Sequence, residues 1–313
     1  MNLESLIERR KLRRKVQGIA ATLLPFESDG RIAVEAFQRH LLATQRAGLT
    51  NAVNMDTGYV NYLNAADRLD VLRWTREALG NNVGFIAGAY IEGQSGDVVA
   101  LYRREMEHIA GLDGIPIVFQ TAQMHGKPPA EKAAVYREIC RGFPHVLAFE
   151  LGPMFAPNGE IFDEETVRRL MDIPELIGMK HSSLDRIMEL GRLSLRDAHR
   201  PEFKIYTGND LGINMIEYGS DYLLGLATFA PEKFAKRDRL WEVGDPTYYA
   251  VSDALQYLGN VAFREPIPAY KHSAAVFLHL AGRIPTDLSH PQNPQRPSWE
   301  REILQDCARR LHG

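Results

Sequence analysis

An eight-fold β/α barrel is the fold this sequence predicts, and three observations predict it. Eight short apolar runs recur along the chain, amphipathic stretches of helical period separate most of them, and run plus stretch repeats about every thirty residues, the unit length of a closed barrel. The runs are "GIAATLLPF" from 18, "TNAVNM" from 50, "VGFIAGAY" from 83, "IPIVFQT" from 115, "HVLAFEL" from 145, "LIGMK" from 176, "KIYTG" from 204 and "DYLLGL" from 221. No identity is visible between units, so the repeat is architectural rather than a solenoid. An open doubly wound sheet is the alternative, but the Gly-x-Gly-x-x-Gly turn is missing after the first run, and eight strands favour closure.

Residues 1–17 precede the first strand. Leu3, Leu6, Ile7 and Leu12 alternate there with Arg9, Arg10, Lys11, Arg13, Arg14 and Lys15, a pattern that predicts a basic amphipathic helix. Packing on the body of the protein or on a neighbouring subunit is favoured over a nucleic-acid or membrane arm, because the basicity ends at Gly18. The barrel then occupies 18–235, with helical stretches such as "AVEAFQRHLLATQRAG" and "LYRREMEHIAGL" between strands. From 236 to 313 a helical extension is predicted, built on "TYYAVSDALQYLGNVAF", "PIPAYKHSAAVFLHLAG" and "SWEREILQDCARRL", packed beside the barrel rather than forming a second catalytic domain.

Composition narrows the function classes. A formal net charge of −3 and a pI near 6.4 make no broad electrostatic case for nucleic acid or an anionic membrane, so a small molecule is the expected partner. Cys140 and Cys307 are the only cysteines, which leaves no disulfide framework and no paired Cys-x-x-Cys for zinc, and fits a reducing, cytoplasmic setting. No apolar run approaches the roughly 18 residues of a membrane span, and the start lacks the apolar segment of a signal peptide. Neither a cofactor fingerprint nor a compact metal-ligand spacing such as His-x-x-Glu-His is present.

In a β/α barrel the chemistry sits where the strands end. Those positions carry Asp56 and Thr57 after the second strand, Gln123 and His125 after the fourth, Glu150 at the fifth, Lys180 and His181 at the sixth, and Asn209 and Asp210 after the seventh. Each buried charge costs several kcal/mol unless paired, so their convergence predicts a site. Lys180 is the sharpest signal, a lysine set directly where the apolar run of Ile177, Gly178 and Met179 stops. Read without a function, it would pair with Glu150 on the adjacent strand.

The sequence resembles the dihydrodipicolinate synthase and N-acetylneuraminate lyase superfamily of Schiff-base aldolases over nearly all of the chain after Gly18. The resemblance rests on "TLLPF" followed by "DG", a "TG" turn after the second strand, "HGKPP" after the fourth, "GMKHSS" at the sixth, "GND" at the seventh and "APE" after the eighth. It implies that Lys180 condenses with a substrate carbonyl, and that the protein is a homotetramer or homodimer. Desolvation at the end of an apolar strand suits that role, because it frees the neutral amine.

The departures from the family pattern bear on substrate and mechanism. The Gly-Thr-Thr-Gly-Glu turn, which holds a 2-oxo-acid carboxylate in the family, reads Met55-Asp56-Thr57-Gly58-Tyr59 here. Two anions about 4 Å apart repel by roughly 1 to 4 kcal/mol at dielectrics of 80 to 20, so Asp56 argues against pyruvate and for a polyhydroxylated, sugar-derived carbonyl compound. The bland role for Asp56 is to cap its own turn. The family's Tyr-Asn pair on the fifth strand becomes Phe149-Glu150, which removes a relay phenol and leaves acid–base duty to Glu150, or to His125 near the position of a second relay tyrosine. Which of Phe149 and Glu150 faces the barrel interior depends on a strand alternation that stays open at this level. A frequent arginine of the family falls near Met154. The expected activity is therefore aldol cleavage or dehydration through a lysine imine, by a family member other than dihydrodipicolinate synthase itself. Asp56, Thr57, Phe149, His181, Asn209 and Asp210 are expected around the substrate. Two other readings are a metal-dependent sugar isomerase or epimerase using Glu150, His181, His125 and Asp210, and an inactive sugar-binding barrel.

Overall fold

Parallel strands close on themselves in chain order, and each of the eight predicted runs supplies one of them. The computed structural model describes residues 3–312; Met1, Asn2 and Gly313, the outermost residues of the predicted first and last segments, lie outside the described residues, as do the side chains of Leu3, Leu6 and His312. The elements are α1 (Leu3–Glu8), β1 (Gly18–Ala21), α2 (Val34–Ala47), β2 (Thr50–Val53), α3 (Ala65–Leu79), β3 (Phe85–Ala89), α4 (Val98–Ala110), β4 (Gly114–Val118), α5 (Pro129–Cys140), β5 (Val146–Leu151), α6 (Glu164–Met171), β6 (Leu176–Ser182), α7 (Arg186–His199), β7 (Lys204–Thr207), β8 (Asp221–Leu224) and α8 (Pro231–Val243). Beyond them come α9 (Thr247–Ala262), α10 (Tyr270–Leu280) and α11 (Glu300–His312). This is a (β/α)8 barrel with additional C-terminal helices.

Four of the helices begin where short polar side chains satisfy free backbone N–H groups. Asn64, Asp97, Asp163 and Asp185 each accept from the first turn of α3, α4, α6 and α7, an interaction typically worth about 1 kcal/mol. The chain leaves α2 through Gly48, whose φ of 95° lies in the left-handed region that a side chain would disfavour. Two apolar layers result. Ile19, Ala52, Ile86, Ile117, Leu147 and Leu223 belong to the cluster that fills the barrel, while residues of the opposite phase join the larger cluster between strands and helices.

The β5–β6 register settles the alternation that the sequence left open. Phe149 pairs with Lys180 and Glu150 with His181, so one pair shares the inner face and the other the outer. Phe149 belongs to the barrel-filling cluster and Glu150 is fully buried on the helix side.

The N-terminal segment is helical only to Glu8. Beyond it the arginines leave helical geometry because they find partners on the barrel: Arg9 reaches Asp197, Arg10 reaches Glu217 and the Tyr249 hydroxyl, and Arg14 reaches Asp221 and two backbone carbonyls. The C-terminal stretches do form helices, but α10 is not confined to the outside of the barrel. Its first two residues, Tyr270 and Lys271, are buried and bond to the loop after β2.

Candidate active site

Lys180 projects from the end of β6 on the inner face, 8% exposed, with its ammonium 4.5 Å from the centre of the Phe149 ring. Gly208 makes room for it, since a β-carbon there would sit 2.8 Å from the Lys180 Cε and clash with the Ser182 hydroxyl. Burial lowers the Lys180 pKa to about 8, against the opposing pull of Asp210 and Asp56. Burial likewise raises Asp210 to about 7, against a 2.7 Å hydrogen bond from the Leu226 N–H and the attraction of Lys180. Both groups therefore change charge within reach of neutral pH.

An open cleft of about 340 Å³ lies at this end of the barrel, walled by Asp56, Val60, Tyr90, Phe119, Leu151 and Phe155 among others. Phe119 links the cleft to the lysine, because its ring meets Phe149 edge-on at 5.0 Å and Tyr90 edge-on at 5.6 Å. Asp56 links them electrostatically, since it lines the cleft and its charge acts on Lys180.

Asp56 does not cap its own turn with its side chain. It accepts from the Tyr270 hydroxyl at 2.9 Å and from the Lys271 ammonium at 3.1 Å, while Thr57 shares a 2.8 Å hydrogen bond with the same Tyr270 hydroxyl. Lys271 offsets the Asp56 charge, so the repulsion expected between Asp56 and a substrate carboxylate is smaller than the bare carboxylate would give.

Several expected site residues lie elsewhere. Glu150 points into the helix layer, where it accepts from Arg192 at 2.9 and 3.0 Å, from His181 at 2.5 Å and from the Phe162 N–H at 2.9 Å. Burial alone would raise its pKa, but His181 and Arg192 outweigh that and hold it low. Glu150 therefore faces away from Lys180, and neither acid–base duty on the substrate nor a direct pairing with Lys180 fits its position. His181 shares that outer face, bridging Glu150 to the Ser183 hydroxyl at 2.6 Å, so the substrate contact expected of it has no geometry. Glu150, His181 and Ser183 form a line like a nucleophile triad, but Ser183 is buried and is already engaged with the Asp185 backbone. His125 is exposed on the turn after β4 and borders a separate crevice of about 10 Å³. Asn209 turns its carbonyl oxygen back to the Leu211 N–H and shapes its own loop. Phe149, Asp210 and Asp56 are the predicted residues that act on Lys180, and Thr57 joins Asp56 through the shared Tyr270 hydroxyl.

The metal reading required Glu150, His181, His125 and Asp210 around one ion, and the fold distributes them over the helix layer, an exposed turn and the barrel mouth. Among the described residues, no group of three or more His, Cys, Asp or Glu side chains is placed to hold a metal ion.

Tyr90, Tyr270 and Lys271 were absent from the expected site. Lys271 carried a readable signal, a lysine at the start of a helix that is mostly apolar beyond Ser273.

No family model matches the chain. It is 27% identical to the 4-hydroxy-tetrahydrodipicolinate synthase of Parasynechococcus marenigrum (strain WH8102) over 259 residues, 80% of this chain and 82% of that protein. To the enzyme of the same name from Synechococcus elongatus it is 27% identical over 215 residues, 67% and 68% of the two chains. Among solved structures, the dihydrodipicolinate synthase of Thermotoga maritima superposes with a TM-score of 0.80 at 19% identity, covering 96% of this chain and 99% of that one. A prophage protein of the dihydrodipicolinic acid synthase family from E. coli K12, solved in complex with pyruvate, superposes at 0.80 with 16% identity over 95% and 98%.

Proposed function

Because the chain is a divergent member of the dihydrodipicolinate synthase and N-acetylneuraminate lyase superfamily, we propose that it is a lyase working through a Schiff base on Lys180. The observation that carries this reading is the lysine itself, buried over Phe149 at the mouth of the barrel with its pKa brought down to about 8. An amine so placed is neutral often enough to attack a carbonyl carbon. Asp210, poised near 7, gives a proton to the carbinolamine hydroxyl, which leaves as water. The protonated imine then accepts the electron pair of a neighbouring bond.

The substrate in this reading is a small hydroxylated carbonyl compound, sugar-derived, rather than pyruvate, and the protein is not dihydrodipicolinate synthase itself. Asp56 lines the cleft as an acceptor and offers a substrate carboxylate no hydrogen to accept. Substrate hydroxyls meet that need, and a carboxylate does not. Assembly as a homodimer or homotetramer and a cytoplasmic location belong to the same reading. One structural neighbour is described as the first monomeric dihydrodipicolinate synthase variant, and among the described residues no helix is long and apolar enough to cross a membrane. Incubating the protein with ketoses, aldonic-acid derivatives and 2-oxo acids under borohydride tests the substrate class. Hydroxylated compounds should leave the larger yield of adduct, and a preference for pyruvate would contradict the reading.

A further inference from the structure

We propose that Asp56 and Lys271 form the proton-transfer pair of the Lys180 site, with Asp56 as the base that touches substrate and Lys271, Tyr270 and Thr57 as the groups that position it. The proposal rests on the Schiff-base reading above.

Phe149 cannot move a proton, Glu150 faces the helices, and His125 borders another crevice. The carboxylates whose charge acts on Lys180 are Asp210 and Asp56, and of these Asp56 walls the cleft. Its side chain remains 17% exposed there, while Lys271 behind it is 1% exposed. The Lys271 ammonium lies 5.6, 5.7 and 5.8 Å from the ring centres of Tyr59, Tyr62 and Tyr270, and Asp56 is its hydrogen-bonded carboxylate partner. A buried ammonium in that cage needs its anion, so the pair holds Asp56 as the carboxylate.

Tyr270 completes the arrangement. Its O–H donates to Asp56, which leaves its oxygen to accept from the Thr57 hydroxyl, so the chain of donors runs from Thr57 through Tyr270 to Asp56. Phe263 stacks on Tyr270 at 4.3 Å, and the absence of a side chain at Gly225 leaves space for Tyr270 and Thr57 to meet. Each Asp56 oxygen has one protein donor and keeps lone-pair capacity for the cleft.

A carboxylate held ionised opposite an imine is a base rather than an acid, which favours carbon–carbon cleavage over dehydration. Asp56 takes the proton of the substrate hydroxyl, that oxygen becomes the carbonyl of the departing aldehyde, and the carbon–carbon bonding pair passes to the protonated imine to give an enamine. Asp56 then returns the proton to the enamine carbon, which restores the protonated imine. Water adds to it and releases product and Lys180. Tyr90, Tyr59, Tyr270, Lys271, Lys180 and Asp210 are the titratable groups around Asp56.

The test uses dihydroxyacetone, hydroxypyruvate and pyruvate as probes, with two readouts: borohydride trapping on Lys180, and exchange of the α-hydrogens in D2O followed by NMR. Asp56→Asn should still trap all three probes, pyruvate more readily than the wild type because the amide supplies a donor, and should slow exchange by roughly 10²- to 10⁴-fold. Lys271→Met should slow exchange while leaving trapping in place, and Lys271→Arg should restore the exchange rate, a rescue that a merely structural role would not single out from trapping. Exchange at the wild-type rate in Asp56→Asn, with trapping intact, overturns the pair and leaves the Schiff-base reading standing. A folded Asp56→Asn protein that loses trapping as well also overturns it, since the pair would then serve imine formation. Wild-type protein that traps none of the three probes overturns the Schiff-base reading and the pair with it.

Discussion

Lys180→Met should make the protein more stable at neutral pH while abolishing its nucleophile. The drop in the Lys180 pKa from 10.5 to about 8 corresponds to roughly 3 kcal/mol of destabilisation in the charged form. The sign follows from proton linkage: the unfolded chain binds this proton more tightly than the folded one, so the penalty is fully present below about pH 8 and is lost as pH rises to 10.5. Methionine keeps the stem and most of the volume but carries no charge. Part of the gain is returned, because the contact with Phe149, worth about 0.5 to 2 kcal/mol, disappears. The net expectation is about 1 to 2 kcal/mol, or a rise in Tm of roughly 1.5 to 3 °C at pH 7, shrinking towards zero or reversing near pH 10. Thermal unfolding of both proteins at the two pH values measures it. A Tm for Lys180→Met below that of the wild type at pH 7 would refute the claim that a desolvated amine is held there against its preference.

Three further outcomes follow from the same contacts. Asp210→Asn removes the stronger of the two charges that keep Lys180 protonated, so the pH profile of borohydride trapping should shift to lower pH, and an unmoved or raised profile would count against that pairing. Arg192→Met should strip Glu150 of one of its two cationic partners, leaving His181 and the Phe162 N–H, and cost about 3 kcal/mol in denaturant unfolding, whereas Glu150→Gln should reduce stability yet leave trapping at the end of β6 intact; loss of trapping in a folded Glu150→Gln protein would return Glu150 to the chemistry. Asp56→Thr should raise the trapping of pyruvate by about tenfold, since it restores a donor and leaves the buried Lys271 in want of an anion. Unchanged pyruvate trapping would show that Asp56 does not set the carboxylate preference.

The strands were legible because each is a short apolar run bounded by turn residues, and Lys180 was legible because a charge at the end of such a run demands a partner or a task. The facing of Glu150 was not, since it depends on the register Phe149↔Lys180 and a one-residue slip would have turned every side chain over. Once the outer face is fixed, Glu150 reads as part of a buried polar network with His181 and Arg192, two residues whose sequence distance gives no hint of contact. The pairing of Tyr270 and Lys271 with Asp56 was hidden for the same reason, since they meet it across 214 and 215 residues. The N-terminal helix was predicted too long because helical pattern was weighed against solvent, while Arg9, Arg10 and Arg14 had barrel acids and carbonyls to reach.

The most direct measurement is the position of the covalent adduct. Protein treated with a hydroxylated carbonyl compound and borohydride is digested, and the modified peptide is identified by mass. The expected result is a single adduct on Lys180, absent in Lys180→Met. An adduct on another lysine, Lys271 included, or undiminished turnover by Lys180→Met, would contradict the imine mechanism.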